Sequence, residues 1–126
     1  MNPKDLRYAK THEWVREDGL DYVVGLTRFA VDHLTDITYV ELPKFGSVVA
    51  QGQGMGEVES VKAVSDIYAP VSGTVVAVNE SLAGDASIIS RDPYGEGWLV
   101  RIRPNPAGLL NHLMEADDYD RQVDGS

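Results

Sequence analysis

Lys62 lies between two copies of one short pattern, and that placement is the strongest chemical signal in the sequence. Pro43-Lys44-Phe45-Gly46-Ser47-Val48-Val49-Ala50 precedes it, and Pro70-Val71-Ser72-Gly73-Thr74-Val75-Val76-Ala77 follows, matching at Pro, Gly, a small hydroxyl residue and Val-Val-Ala. A chain that repeats a strand-turn-strand unit and joins the copies through a tight hairpin presents the junction residue at an exposed tip. A lysine there is placed for covalent modification. Carboxylates crowd the same segment. Glu57 and Glu59 alternate with Val58, so on a strand they share the outer face while Val58 takes the other. With Asp66 they surround Lys62 with negative charge, which favours the ammonium form and speaks against a Schiff-base lysine. The plainer reading of the same residues is a solvated acidic hairpin whose lysine serves solubility.

Other chemistries are poorly supported. The chain has no cysteine, which removes disulfides, thiol catalysis and cysteine-based zinc sites, so any redox chemistry must be carried by a cofactor. His12, His33 and His112 lack the i, i+4 spacing of a helical metal pair and read as surface or internally satisfied histidines, with no metal site expected. Gln51-Gly52-Gln53-Gly54-Met55-Gly56 has Glu57 where a dinucleotide fingerprint needs its third glycine, and an acidic, β-branched stretch follows in place of a helix. These glycines read as a turn that allows close backbone approach between the two halves. No serine stands in a nucleophile elbow.

The elements that must position Lys62 are short strands. Valine-rich stretches recur between Gly, Pro, Asn and Asp at 13–16, 21–26, 37–42, 48–50, 55–60, 65–68, 73–78 and 98–103, the pattern of a small antiparallel sandwich or barrel. Two helices are expected. Thr27 caps one through Leu34; Asn105-Pro106 opens the other, with Leu109, Leu110, Leu113 and Met114 at helical spacing and a frayed tail from Val123. Val48, Val75, Val78 and the C-terminal leucines are the expected core.

At 126 residues the chain is expected to form one domain over 1–126. A net charge of −9 and a pI near 4.6 argue against nucleic acid and anionic lipid as partners. No apolar run reaches membrane-spanning length. The first residues, Met1 to Arg7, have no apolar stretch behind their charges, so a cytoplasmic protein is expected.

The run Glu59-Ser60-Val61-Lys62-Ala63-Val64-Ser65-Asp66, continuing through Tyr68-Ala69-Pro70-Val71-Ser72-Gly73 to Val78-Asn79, closely resembles the lipoyl-attachment segment of the glycine cleavage system H protein family. Thr11-His12-Glu13-Trp14, Val40-Glu41-Leu42-Pro43 and Asp92-Pro93-Tyr94-Gly95-Glu96-Gly97-Trp98 resemble the family's early, middle and late signatures. The resemblance implies a mainly β, lipoyl-domain-like barrel-sandwich hybrid with a short internal helix and a C-terminal helix. It implies a non-catalytic, monomeric carrier. Lipoic acid would be amide-linked to Lys62, with Glu59, Ser60, Val61 and Ala63 as the recognition motif for a lipoate ligase or lipoyl/octanoyl transferase. Biotin carriers generally place methionine on both sides of their lysine; Val61 and Ala63 favour lipoate.

In the family, the arm moves an aminomethyl group and electrons among glycine decarboxylase, aminomethyltransferase and dihydrolipoyl dehydrogenase, and rests in a surface cleft. By position, Thr11, Glu13, His33 and Asp66 would line that cleft, with carboxylates holding a cationic amine. Three features depart from the family's usual pattern: Arg28 replaces an acidic residue, Thr35 a glycine, and Ala86 to Arg91 lacks the usual Pro and Asn. They leave room for a lipoate-binding relative serving heterodisulfide-reductase-like sulfur-oxidation subunits, with Arg28 beside the arm as a cation for oxidised sulfur, or for a lipoyl-relay protein.

Overall fold

Strands β1 (Arg7–Tyr8), β2 (Glu13–Asp18), β3 (Asp21–Leu26), β4 (Ile37–Glu41), β5 (Val48–Val49), β6 (Gly54–Ser60), β7 (Val64–Tyr68), β8 (Gly73–Val78) and β9 (Val100–Pro104) build two antiparallel sheets. The computed structural model describes residues 3–104 and 112–124. One sheet has the order β1-β2-β3-β9-β8-β5, the other β4-β6-β7. Their facing sides enclose the main core, with Val15, Val24, Val58, Ile67, Val75 and Ile102 all buried. Trp14 and Val23 alternate to the opposite side of the larger sheet and join a second cluster with Leu6, Tyr8, Ala116 and Tyr119. Both faces of β2 and β3 are therefore covered, which is why Trp14-Val15 and Tyr22-Val23-Val24 read as unbroken apolar runs.

The repeat is structural as well as sequential. Its two copies pair with each other, Val48 opposite Thr74 and Val49 opposite Gly73. The Val75 N–H donates to the Ser47 carbonyl at 2.8 Å. Ser47 is the counterpart of Thr74 and Val48 of Val75, so the pairing reads the same from either copy and the chain between them must close symmetrically. It does so through the β6–β7 hairpin. The expected core needs one correction: Val48 is 78% exposed and Val49 faces inward, because the Val49–Gly73 register turns every second residue of β5 outward.

Helix α1 (Arg28–Leu34) begins as expected, the Thr27 hydroxyl oxygen accepting from the Ala30 N–H. Two single-turn helices, α2 (Ser81–Gly84) and α3 (Ile88–Arg91), carry no sequence periodicity long enough to announce them. The C-terminal helix, α4, spans Ala116–Asp124 and includes Val123, expected to fray. The expected start at Asn105-Pro106 and the leucines at 109 and 110 lie outside the described residues. Leu113 and Met114 are not helical: Met114 and Tyr8 exchange both backbone hydrogen bonds, at 2.7 and 2.8 Å, and that β-bridge extends the larger sheet beyond β1. Among the described residues, no helix is long and apolar enough to cross a membrane.

Candidate functional site: a lysine tip and an adjoining cleft

The tip follows from the β6–β7 register. Glu59 opposes Val64 and the Ser60 N–H donates to the Ala63 carbonyl at 2.8 Å, leaving Val61 and Lys62 as a two-residue loop. The Ala63 N–H donates to the Ser60 hydroxyl oxygen at 3.2 Å, and the Val61 N–H reaches the Asp36 carbonyl at 3.2 Å, which ties the loop to the start of β4. Glu57 is exposed, Glu59 half-buried and Val58 buried, as the alternation requires. Lys62 is exposed and, among the described residues, enters no ion pair. Its amine is a free nucleophile once deprotonated, held on a rigid scaffold, and acylating it would orphan no partner. Val61, 71% exposed, gives the tip an apolar flank that solvent exposure alone does not explain.

A cleft of about 220 Å³ opens between α1, the Thr11–His12 turn and the β6–β7 hairpin. Thr11, His33 and Asp66, three of the four residues expected there, line it together with His12, Phe29 and Ser65. Asp66 stands four residues from Lys62, about 13 Å along an extended strand. The cleft floor is apolar, with Leu26 and Val58 both buried. His33 packs against Phe29 with ring centroids 4.1 Å apart and planes tilted by 37°, and Phe29 against His12 at 4.7 Å and 36°.

Glu13, the fourth expected residue, is not on the lining. It is 1% exposed and sits behind Thr11, whose hydroxyl donates to its carboxylate, while the Tyr68 N–H donates to its other oxygen at 3.2 Å. Burial pushes the Glu13 carboxyl up to about 7, against the opposing pull of those hydrogen bonds. The period-2 pattern of β2 places residue 13 inward, so its carboxyl meets the cleft lining through Thr11 rather than by direct contact.

Arg28 is also not on the lining. Its guanidinium donates to the Ser90 carbonyl at 2.8 Å and pairs with Asp32 at 3.6 Å, which directs it along α1 toward α3. The expectation of a cation beside the arm therefore fails for this residue. Thr35 adopts φ 59° and ψ −136°, a left-handed conformation in which a β-branched residue is strained. The glycine run was expected to allow close approach between the repeat halves. At Gly56 the close neighbour is instead β4, where a Cβ would meet the Glu41 carbonyl at 2.2 Å, and Gly52 serves a turn with φ +82°.

His12 and Phe29 were missed as site residues. His12 has φ 77°, and this turn, invisible in residue types, brings its ring to the cleft. His112 is internally satisfied, its Nε2 donating to the Pro70 carbonyl at 2.6 Å. Among the described residues, no group of three or more His, Cys, Asp or Glu could hold a metal ion.

The residues at the tip fit a covalently attached lipoyl group. Among the described residues the amine has no competing partner, its flanks are open, and the buried side-chain polar atom without a hydrogen bond is Ser90 Oγ, so no vacant polar cradle at the tip calls for a different ligand. The family model described as glycine cleavage H-protein matches residues 6–125. The glycine cleavage system H protein of Listeria monocytogenes is 48% identical over 122 residues, covering 97% of this chain and 98% of the relative. That of Thermus thermophilus is 49% identical over 117 residues, covering 93% and 91%. A crystal structure of a glycine cleavage system H protein from Mycobacterium marinum superposes with a TM-score of 0.88 at 40% identity, covering 98% of this chain and 99% of that one. With its two sheets and C-terminal helix in common with that fold, the chain belongs to the glycine cleavage H-protein family of lipoyl carriers.

Proposed function

We propose that the chain is a single-domain carrier that bears lipoic acid on Lys62 and serves the glycine cleavage enzymes. The observation that carries this reading is the unpartnered amine at a two-residue tip, beside a cleft lined by Thr11, His33 and Asp66. When bound, the lipoyl group supplies a disulfide that accepts a carbon fragment and two electrons, chemistry that no side chain of this cysteine-free protein can perform. Lys62 Nζ provides the amide nitrogen. Glu59, Ser60, Val61 and Ala63 present the loop to a lipoate ligase or a lipoyl/octanoyl transferase. The wall residues supply a rest position: Asp66 offers a counter-charge to a cationic amine, while Phe29, Leu26 and Val58 keep water from the floor.

Glycine decarboxylase, aminomethyltransferase and dihydrolipoyl dehydrogenase are the partners that this reading requires. Of the three features that left room for the rival sulfur-oxidation reading, Arg28 has its guanidinium committed to Ser90 and Asp32.

The test is to lipoylate the protein and incubate it with glycine labelled at its methylene carbon and a glycine decarboxylase, and separately with thiosulfate or a persulfide donor. Intact mass should show label on the protein in the first mixture, lost in Lys62→Ala, and no sulfur gain in the second. A sulfur gain without transfer from glycine would replace the glycine cleavage reading with its rival.

A further inference from the structure

Tyr119, on α4, lies far from Lys62 in sequence, yet its hydroxyl is the link between the cleft wall and the C-terminal helix. It sits 2.5 Å from His12 Nδ1 and 2.7 Å from the Thr27 hydroxyl. Its ring stacks on Tyr8 at 4.8 Å with the planes 9° apart, so α4 cannot slide without breaking that stack. The Gln122 side chain donates to the Lys10 carbonyl at 3.0 Å, a second tie from α4 to the same turn.

The direction of the hydrogen bonds follows from counting donors. The Thr27 oxygen already accepts from the Ala30 N–H at 3.3 Å. Thr27 is fully buried, and its hydroxyl proton has, among the described residues, one acceptor within reach, the Tyr119 oxygen. Reversing the chain would strand a buried hydroxyl proton without an acceptor, which buried polar groups avoid. Thr27 therefore donates to Tyr119. Tyr119 must then spend its own proton on His12 Nδ1, which accepts only if it carries no hydrogen. The proton of the neutral imidazole is left on Nε2.

We propose that Tyr119 is a positioning residue that fixes His12 as the Nε2–H tautomer and makes it an oriented hydrogen-bond donor on the wall of the arm cleft. Nε2 has no hydrogen-bond partner among the described residues and is not among the buried unpartnered atoms, so solvent or a ligand reaches it. A proton on Nδ1 would face the Tyr119 proton and break the chain, which keeps the ring neutral; burial and the nearby His33 act in the same direction. His33 Nδ1 donates to the Phe29 carbonyl at 3.1 Å, and Asp66 accepts. The cleft then offers one fixed donor against acceptors, matching an arm that presents both an acceptor, such as an amide oxygen or a thiolate, and a cationic amine. The donor's role rests on the proposed docking of the arm; the tautomer does not.

The experiment is ring-nitrogen NMR of the full chain with 15N-labelled histidine near pH 7.5. In the unmodified protein His12 should show a non-protonated Nδ1 and a protonated Nε2, and Tyr119→Phe, which keeps the Tyr8 stack, should average the two nitrogens. A protonated Nδ1 in the parent overturns the proposal whether or not the variant folds, as does a folded variant with an unchanged pattern. On lipoylation the Nε2 resonance should move together with the amides of Phe29, His33 and Asp66. Movement of those amides without Nε2 would remove the donor role and leave docking intact. No movement in any of them would remove docking and the donor role together.

Discussion

Arg28 Nη1 lies 2.8 Å from the carbonyl oxygen of Ser90, so the guanidinium at the start of α1 ties that helix to α3. An acidic residue at position 28 would face that carbonyl, and α3 would lose a donor that holds it to α1.

Arg28→Ala should destabilise the protein by about 1 kcal/mol, the worth of one charge-assisted hydrogen bond and an exposed ion pair. Arg28→Asp should cost more, because Asp32 is then four residues from a like charge on the same helix. Neither should change transfer from glycine to the arm, since Arg28 is absent from the cleft lining. Urea denaturation reads the first effect and labelled-glycine transfer the second. A transfer defect in a fully folded Arg28→Ala protein would return this residue to the site.

Lys62→Ala should abolish modification and leave stability within about 0.5 kcal/mol of the parent, as for an exposed side chain with no partner. Intact mass after treatment with a lipoate ligase, with a thermal melt on the same sample, checks both. Lipoyl mass persisting on Lys10 or Lys44 would break the assignment.

The tip was legible because both its signals are local: the repeat that brackets Lys62 and the Glu57-Val58-Glu59 alternation survive in any antiparallel pairing. Strands β2, β3, β4, β6, β7 and β8 were legible for the same reason. What stayed hidden depends on distant partners. β1 is two residues long and exists through Val15, Trp14 and Met114. The α4 sequence is mostly polar, burying Ala116 and Tyr119, so the leucines before it drew the helix reading toward themselves. His12 reached the cleft through a positive φ, and Glu13 left it through burial. Neither can be read from residue type.

Thr35→Gly should stabilise the protein. The left-handed backbone at Thr35 costs roughly 1–3 kcal/mol in a non-glycine residue, while glycine returns about 0.4–1 kcal/mol of that through the freedom of the unfolded chain. The bond that closes α1, from the Thr35 N–H to the Val31 carbonyl, needs no side chain and survives. A net gain of about 1 kcal/mol, or about 4 °C in Tm, is expected, with less from Thr35→Ala because the Cβ remains. A lower Tm for the glycine variant would mean that the Thr35 hydroxyl, bonded to the Leu34 carbonyl at 2.6 Å, outweighs the strain.

Glu13 should give the protein a pH dependence of unusual sign for a carboxylate. Its folded value of about 7 lies above the ordinary 4.5 because burial disfavours the charge, so between those values the folded state binds the proton and the unfolded state releases it. Stability from this group is therefore full at low pH, declines as pH rises through the window, and levels off above 7. At 1.36 kcal/mol per unit the decline is about 3 kcal/mol at most. Glu13→Gln cannot titrate, and its amide oxygen can accept from the Tyr68 N–H while its amide N–H2 donates to a rotated Thr11 hydroxyl. The unfolding free energy of the parent minus that of the variant, from urea curves between pH 5 and 8, should fall with rising pH. A difference that stays flat, or rises, would show that the hydrogen bonds from Thr11 and Tyr68 outweigh burial and that the carboxylate is charged throughout.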